Sequence, residues 1–250
     1  MSENQKKVWI TGGSSGIGKS TAEKFAKEGW LVAVSARRQE ILEDMAKNPN
    51  ISSYPLDVVN EDNCKNTFLK IISEFKEIDL CIFCSGTYDP KKEKEINIKQ
   101  NKFVMDVNYF GVLNCVKAVE KYFKERKGGH ISIVSSIAGY RGLPNSSGYG
   151  PSKAALNNFA ESIYFDFKKH NVRVSIISPG FIKTPLTDKN DFPMPFLRSV
   201  DFAAEKIYTG LTRSNSFEIH FPKQLTLLLK FLRLLPYKIY LFLIYKLYKR

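Results

Sequence analysis

The chain has 250 residues, of which 43% are hydrophobic and 25% are charged, a composition typical of a folded protein and not of a disordered one. Its 15 glycines, 11 prolines and four cysteines follow no fixed period, which excludes collagen-like, coiled-coil and disulfide-framework proteins. The formal net charge is +13. Seven of these excess positive charges lie in residues 221–250, which contain no acidic residue, so residues 1–220 carry only +6.

Short apolar, β-branched runs alternate with longer amphipathic stretches from residue 8 to residue 222. The runs predict strands near residues 8–12, 31–36, 51–57, 79–86, 130–136, 173–180 and 217–222. The stretches between them predict crossover helices, for example at 17–29, 61–76, 101–126 and 149–170. This alternation predicts an α/β fold, a doubly wound parallel sheet with helices on both faces. We expect one domain over residues 1–222 and a C-terminal extension over residues 223–250.

The cysteines are expected to be buried and reduced. Cys81 and Cys84 form a CxxC string, but it lies in the apolar run LCIFC, which predicts a strand. Residues i and i+3 of a strand point to opposite faces and cannot easily share a metal or form a disulfide. The scattered His130, His170 and His220 favour no metal site either. With no long apolar stretch before the first motif, we expect no signal peptide and a cytoplasmic location.

A glycine-rich loop follows the first predicted strand. The strand VWIT runs into GGSSGIG at residues 12–18, and a helical pattern follows. Glycines there permit a tight turn and let the backbone approach a pyrophosphate at the helix N-terminus. A glycine trio alone is a weak signal, but its place between a strand and a helix predicts dinucleotide binding. The expected contacts are Gly12, Ser14, Ser15, Gly16, Ile17 and Gly18.

Two arginines, Arg37 and Arg38, follow the second predicted strand. A site that prefers NAD has a carboxylate near this point to accept the ribose hydroxyls. Guanidinium groups instead suit a 2′-phosphate. The pair therefore favours NADP(H), with Arg37 the better candidate, and a solvated basic loop is the other interpretation.

Tyr149 and Lys153 lie four residues apart at the start of a predicted helix, so they share one helix face. An ammonium close to a phenol favours the phenolate, so we expect Lys153 to lower the pKa of Tyr149 from about 10. Such a tyrosine suits proton exchange with an alcohol/ketone pair near neutral pH. A YxxxK string usually marks only a solvated helix face. Here it follows an apolar strand that ends in Ser135-Ser136, which favours the catalytic interpretation.

Together these motifs resemble the short-chain dehydrogenase/reductase family. The TGxxxGxG loop, the SSxAG stretch at residues 135–139, the YxxxK pair and Pro179-Gly180 follow the family's order over about residues 6–222. The resemblance is to the single-domain branch of the family. It implies a seven-stranded, Rossmann-like domain over residues 1–222, which with the two arginines is expected to bind NADP, and a homodimer formed through the helices that hold Asn108 and Tyr149.

The resemblance also implies the role of each site residue. Ser136 would hydrogen-bond the substrate oxygen, Tyr149 would be the acid/base, and Lys153 would bind the nicotinamide ribose. Asn108 matches the family's helix asparagine, which holds a proton-relay water. Further cofactor contacts implied by the resemblance are Asp57, Val58, Gly86, Pro179, Gly180, Ile182 and Thr184.

The chain departs from the family at one place. The family usually has Asn-Asn-Ala-Gly at the end of the fourth strand, where this chain has Phe83-Cys84-Ser85-Gly86. Gly86 keeps the close approach of the backbone to the cofactor. The loss of both asparagines removes hydrogen bonds that usually stabilise this strand, although it removes no catalytic group.

The motifs predict an NADP(H)-dependent oxidoreductase that transfers a hydride between the nicotinamide and a carbonyl or alcohol. The apolar residues 192–197 (FPMPFL) are expected to line the substrate site, which favours a hydrophobic, lipid-like substrate. A loop that simply packs on the body is the other interpretation of this segment. The alternative function is a membrane-associated cofactor-binding or regulatory protein without turnover, which the lost asparagines favour and the intact catalytic set opposes.

The last part of the chain reads QLTLLLKFLRLLPYKIYLFLIYKLYKR from Gln224. Its longest charge-free run is seven residues, at 239–245, whereas a spanning helix needs roughly 20 apolar residues. Pro236 divides it in two. Basic residues among large apolar ones predict peripheral attachment to a membrane surface. A helix packed on the sheet edge or on a second subunit, and a true hairpin or span, are the other interpretations, and nucleic-acid binding is not expected.

Overall fold

One seven-stranded sheet forms the centre of the protein in a computed structural model that describes residues 5–248, with the side chain of residue 248 outside the description. The strand order is β3-β2-β1-β4-β5-β6-β7, and every neighbouring pair is parallel. The strands are β1 Lys7–Thr11, β2 Leu31–Ala36, β3 Ile51–Pro55, β4 Leu80–Phe83, β5 His130–Val134, β6 Arg173–Pro179 and β7 Glu218–Phe221. The predicted parallel, doubly wound sheet is confirmed, with strand ends within three residues of those expected.

Helices cover both faces of this sheet. They are α1 Gly16–Lys27, α2 Gln39–Met45, α3 Glu61–Phe75, α4 Ile98–Met105, α5 Gly111–Arg126, α6 Tyr149–Lys168, α7 Val200–Arg213, α8 Lys223–Arg233 and α9 Tyr237–Tyr248. The stretch expected as one helix over 101–126 is α4 and α5, joined by a π-helical turn at Asp106–Phe110. The helices α2 and α7 are additional to those named from the sequence.

The core has two layers because alternate strand residues point to opposite faces. On one face Trp9 packs against Phe68 of α3, with ring centroids 5.6 Å apart. On the other face Val8 and Ile10 join a cluster that includes Phe25 of α1. Since both faces are covered, the strand ends are where a cleft can form. The strand order reverses between β1 and β4, and ligands of such sheets bind at the carboxyl ends of the strands at this point.

The helices α8 and α9, here called the tail helices, follow β7 and add no strand to the sheet. Residues 234–236 separate them, at the position where Pro236 was expected to divide the segment. Within residues 5–248, no helix is both long enough and apolar enough to cross a membrane. Residues 249–250 of the expected tail lie outside the described residues.

Candidate functional site

A cavity of about 470 Å³ lies at the carboxyl ends of the strands. Its walls come from the segments that follow β1, β2, β3, β4, β5 and β6, and from the first turns of α1 and α6. All the residues predicted for the site line this cavity except Asn108. They are Gly12, Ser14, Ser15, Gly16, Ile17, Gly18, Arg37, Arg38, Asp57, Val58, Gly86, Ser136, Tyr149, Lys153, Pro179, Gly180, Ile182 and Thr184.

The glycine-rich loop forms one wall of the cavity and fits a dinucleotide pyrophosphate. Gly12 has φ +70°, and a Cβ there would lie 2.7 Å from the carbonyl oxygen of Cys84. A Cβ on Gly18 would lie 2.3 Å from the carbonyl oxygen of Gly12. Among the described residues no side chain caps α1, and its first turn contains no acid. The positive end of α1 is therefore suited to a phosphate.

The two arginines after β2 differ in their contacts. The Arg38 guanidinium donates to the hydroxyl oxygens of Ser14, at 2.9 and 3.1 Å, and of Ser15, at 2.7 Å. These hydrogen bonds fix Arg38 against the glycine-rich loop. Arg37 is exposed at the rim of the same cavity. Both arginines line the cavity, but within residues 5–248 only Arg38 is shown in contact with the glycine-rich loop, so the expected preference for Arg37 stays a prediction.

Tyr149 and Lys153 come from the first turn of α6. The Lys153 side chain is buried, and its Nζ donates to the carbonyl oxygen of Val134 at 2.9 Å. The same Nζ lies 5.7 Å from the centroid of the Tyr149 ring. Ser136, which follows β5, lines the same cavity and acts to lower the pKa of the Tyr149 phenol. The structure therefore brings together the hydroxyl, phenol and ammonium groups that were predicted to act together.

The expected effect of Lys153 on Tyr149 is wrong for this structure. Burial raises the pKa of Tyr149 to about 12, and Ser136 only partly offsets this. Burial also lowers the pKa of Lys153 to about 8. The sequence showed that the two groups are close, but it could not show that burial shifts the pKa of each group toward its neutral form. At neutral pH the phenol is protonated.

Asn108 lies behind the cavity, in the π-helical turn, and is fully buried. Its Oδ1 accepts from the backbone N–H of Thr87 at 2.7 Å, and its Nδ2 donates to the carbonyl oxygen of Thr87 and to Oγ of Ser152, both at 3.0 Å. The N–H of Cys84 donates to Oγ1 of Thr11 at 3.3 Å. These bonds hold the backbone after β4, where the family's two asparagines are missing. The proton-relay role of Asn108 stays a prediction.

The residues by which the segment after β6 lines the cavity differ from those expected. The cavity wall includes Pro185, Leu186 and Thr187, whereas residues 192–197 do not line it, so the expected lining by these six is wrong for this cavity. Thr187 was missed because the family motif ends before it. Its hydroxyl donates to the carbonyl oxygen of Ile182 at 2.6 Å and accepts from the N–H of Thr184 at 2.9 Å. Thr187 therefore fixes the turn that carries both predicted cofactor contacts.

Known proteins resemble the chain over most of its length. It is 34% identical over 232 residues to an uncharacterized oxidoreductase of Myxococcus xanthus, with 91% of each chain covered. It is 29% identical to 3-ketodihydrosphingosine reductase of Bacteroides thetaiotaomicron, over 81% of this chain and 77% of the relative. The solved structure of ElxO with NADP bound superposes with a TM-score of 0.76 at 27% identity, over 86% of this chain and 97% of ElxO.

The family model for short chain dehydrogenases matches residues 6–193. This range contains the glycine-rich loop, the two arginines, the π-helical turn and the Tyr149–Lys153 pair. It ends before β7 and the tail helices. The match covers well over half of the chain, and it agrees with the order of the strands and with the position of the cavity. The chain belongs to the short-chain dehydrogenase family.

Proposed function

We propose that the protein is an NADP(H)-dependent oxidoreductase that interconverts a carbonyl compound and its alcohol. The observation that supports this most is the convergence of Ser136, Tyr149 and Lys153 in the same cavity as the glycine-rich loop. A proton donor and a dinucleotide cradle in one cleft are what hydride transfer to a carbonyl requires.

NADP(H) is the cofactor that the rim of the cavity suits best. Arg38, held on Ser14 and Ser15, lies at the end of β2, where the 2′ position of the adenine ribose is recognised in this type of fold. Arg37 adds a second guanidinium group at the same rim. No carboxylate takes this place in the sequence, which reads SARR. The similar structure of ElxO, named with NADP bound, agrees with this assignment.

The residues of the chain then have distinct tasks. When bound, the nicotinamide supplies the hydride. The phenol of Tyr149 donates a proton to the carbonyl oxygen, and the hydroxyl of Ser136 holds that oxygen in place. Burial keeps the phenol protonated, which is the form that a reduction needs. Lys153 holds the nicotinamide ribose, and with Asn108 it returns a proton to Tyr149 through water.

Exchange of Tyr149 tests this assignment. We expect Tyr149→Phe to lower the rate of NADPH oxidation with a panel of short- and long-chain ketones by about 10²–10⁴-fold, because the proton donor is lost. Tyr164→Phe, on the same helix but outside the cavity, is the matched control and should keep the parent rate. Equal rates for both variants would refute the assignment. NADPH binding without oxidation of NADPH by the parent would favour the alternative of a cofactor-binding protein without turnover.

We also propose a hydrophobic, lipid-like substrate. The similar Bacteroides protein is named for a ketone of a sphingoid base. Leu186, which lines the cavity after β6, adds apolar surface that suits such a substrate. If the substrate is of this class, we expect the rate of NADPH oxidation in the ketone panel to rise with the length of the ketone chain. A rate that falls with the length of the ketone chain would contradict the proposal of a lipid-like substrate.

The tail helices support the proposal of peripheral attachment to a membrane. Their inner side chains, such as Leu225, Leu232 and Tyr240, are buried against the body. Many of their other large apolar side chains are exposed, and these are Leu227, Leu228, Phe231, Tyr237, Ile239, Leu241, Phe242, Tyr245 and Leu247, together with Leu234 between the two helices. Residues 221–250 carry seven basic residues and no acid. An apolar face of this charge suits an anionic lipid surface.

Flotation with vesicles tests the attachment. We expect the full chain to float with vesicles that contain anionic lipid, and Leu234→Glu to float less, since Leu234 is 81% exposed. Leu69→Glu, at an exposed site on α3, is the matched control. Equal flotation of the two variants would refute attachment through the tail helices. A tail-dependent change in subunit number without lipid would instead favour packing on a second subunit.

A homodimer is the last element of the proposal. Phe110, at the end of the π-helical turn, is 50% exposed, and Phe165 of α6 is 66% exposed. Aromatic side chains of this size are enriched in subunit interfaces. Analytical ultracentrifugation of the parent should therefore give a dimer, and Phe165→Asp should weaken it.

A further inference from the structure

A buried carboxylate lies at the start of α6, outside the set of residues used above. Glu93, in the segment between β4 and α4, is only 2% exposed. Its Oε2 accepts from the backbone N–H of Gly148 at 2.9 Å and from the backbone N–H of Tyr149 at 3.0 Å. Its Oε1 is buried without a hydrogen-bond partner among the described residues.

The position of Glu93 makes physical sense as a cap supplied from outside the helix. A buried carboxylate is unfavourable unless hydrogen bonds or charge compensate for it. Here two backbone donors and the positive end of α6 provide this compensation. Gly148, the N-cap residue, has no side chain that can accept from the first turn. The Ser146 hydroxyl accepts from the N–H of Gly150 at 2.9 Å, and Glu93 accepts from the two N–H groups before it, so the two side chains cap the start of α6 together.

The contact with Glu93 matters because one of the two backbone N–H groups that donate to it is the N–H of Tyr149 itself. The carbonyl oxygen of Tyr149 accepts from Oγ of Ser152 at 2.7 Å, and Nδ2 of Asn108 donates to that hydroxyl. The ring of Tyr88, from the same segment as Glu93, lies 4.7 Å from the Tyr149 ring, centroid to centroid. The backbone of Tyr149 is thus held on its N–H by Glu93 and on its C=O by Ser152, while Tyr88 packs on the ring.

We propose that Glu93 is a positioning residue for Tyr149, whose phenol it holds in place through the first turn of α6. The inference rests on the proposed function, since it takes Tyr149 to be the proton donor. The reduction needs the phenol at a fixed distance from the carbonyl oxygen and in its protonated form. A capped first turn provides the position, and a nearby carboxylate disfavours the phenolate.

The other groups around the Tyr149 phenol are either neutral or shift its pKa in a known direction. Cys84 at the end of β4 and Tyr88 are neutral at physiological pH, because burial raises the pKa of both side chains. Lys153 is the nearby cation and favours the phenolate. Ser136 lowers the pKa of the phenol. Glu93 is the carboxylate among these groups, and it raises the pKa of the phenol by less than burial does.

Titration of the phenol tests the proposal without any substrate. The full-length protein is labelled with ¹³Cζ-tyrosine, and the Tyr149 resonance is identified by its loss in Tyr149→Phe. We expect Tyr149 to begin to titrate at lower pH in Glu93→Gln than in the parent, because the isosteric amide removes the charge. Glu95→Gln, two residues away and exposed, is the matched control and should titrate like the parent.

Amide hydrogen exchange provides the second readout. Loss of the cap in Glu93→Ala should speed exchange at Gly148 and Tyr149 by about fivefold, with little change in the core strands. If Glu93→Ala does not fold, Glu93→Gln still tests the charge. Faster exchange with an unchanged titration of Tyr149 would reduce Glu93 to an ordinary helix cap and overturn the proposal. So would a Glu93→Gln variant that matches Glu95→Gln in both measurements.

Activity separates this inference from the proposed function. In a reductase, the alkaline limb of the pH–rate profile should move to lower pH in Glu93→Gln, since the protonated phenol is lost earlier. If Tyr149→Phe is as active as the parent, the proposed function fails, yet the titration and exchange results for Glu93 remain interpretable. If Tyr149→Phe is inactive and Glu93→Gln has the parent's profile, only the inference about Glu93 fails.

Discussion

The carboxyl edge of the sheet and the tail helices differ in how far their side chains are buried and bonded within the chain. At the sheet edge, Asn108 and Lys153 are buried, and each has hydrogen-bond partners within the chain. In the tail helices, Phe231 and Tyr237 are 60% and 76% exposed. In the first region, contacts within the fold hold the polar side chains in place. The second presents exposed apolar side chains, the surface on which the proposed attachment to a membrane depends.

A small number of contacts join the tail helices to the body. The Arg141 guanidinium donates to the carbonyl oxygens of residues 232, 233 and 235, and it lies 4.5 Å from the ring centroid of Tyr237 and 4.1 Å from that of Tyr240. The Tyr240 hydroxyl donates to the carbonyl oxygen of Gly142 at 2.7 Å. Lys230 pairs with Glu218 of β7. Changes at the sheet edge should therefore alter cofactor chemistry, and changes at these anchors should alter only the tail.

Among the changes that test this comparison between the sheet edge and the tail helices, Arg38→Ala is expected to have the largest effect. Removal of its guanidinium in Arg38→Ala should lower the preference for NADP over NAD by about 10–100-fold, since a charged hydrogen bond contributes about 1.5–3 kcal/mol. Arg37→Ala is the matched control with the smaller loss, and Leu234→Glu in the tail should change neither affinity. Fluorescence titration with both cofactors measures this. A larger loss in Arg37→Ala would reverse the assignment of the two arginines.

A pH effect on stability is expected at Lys153. Burial lowers its pKa to about 8 from the usual 10.5, so between these values the unfolded chain holds a proton that the folded chain does not. This lysine therefore makes the free energy of unfolding rise with pH from 8 to 10.5, by at most about 1.4 kcal/mol per pH unit. In Lys153→Met this contribution is absent. Urea unfolding of both proteins across the range measures the difference, and parallel pH curves would contradict the burial of a titrating lysine.

The smallest effect is expected at Arg141. Arg141→Ala removes the hydrogen bonds to the end of α8 and the contacts with the rings of α9. Amides of α9 should exchange about fivefold faster, since about 1 kcal/mol of local stability is lost. NADP affinity should stay at the parent value. A loss of NADP affinity in this variant would show that the tail helices and the sheet edge are coupled, which breaks the comparison.

The sequence predicted those features that depend on local pattern. Fully apolar runs marked the buried strands, and the glycine-rich loop and the Tyr149–Lys153 pair are short motifs at strand–helix junctions. Contacts between distant segments left no such pattern. Glu93 caps α6 from 55 residues away, and Thr187 supports a turn that the motif only begins. The pKa of Tyr149 also escaped prediction because it depends on desolvation, which only the packed structure reveals.

Transfer of an isotope tests the central claim most directly. The full chain is incubated with NADPH that carries deuterium at both positions of C4 of the nicotinamide and with the most reactive ketone of the panel, and the alcohol is analysed by mass spectrometry and NMR. We expect one deuterium on the carbinol carbon in the parent and a rate at least about 100-fold lower in Tyr149→Phe. An alcohol without deuterium, or transfer by Tyr149→Phe at the parent rate, would contradict the proposed reductase.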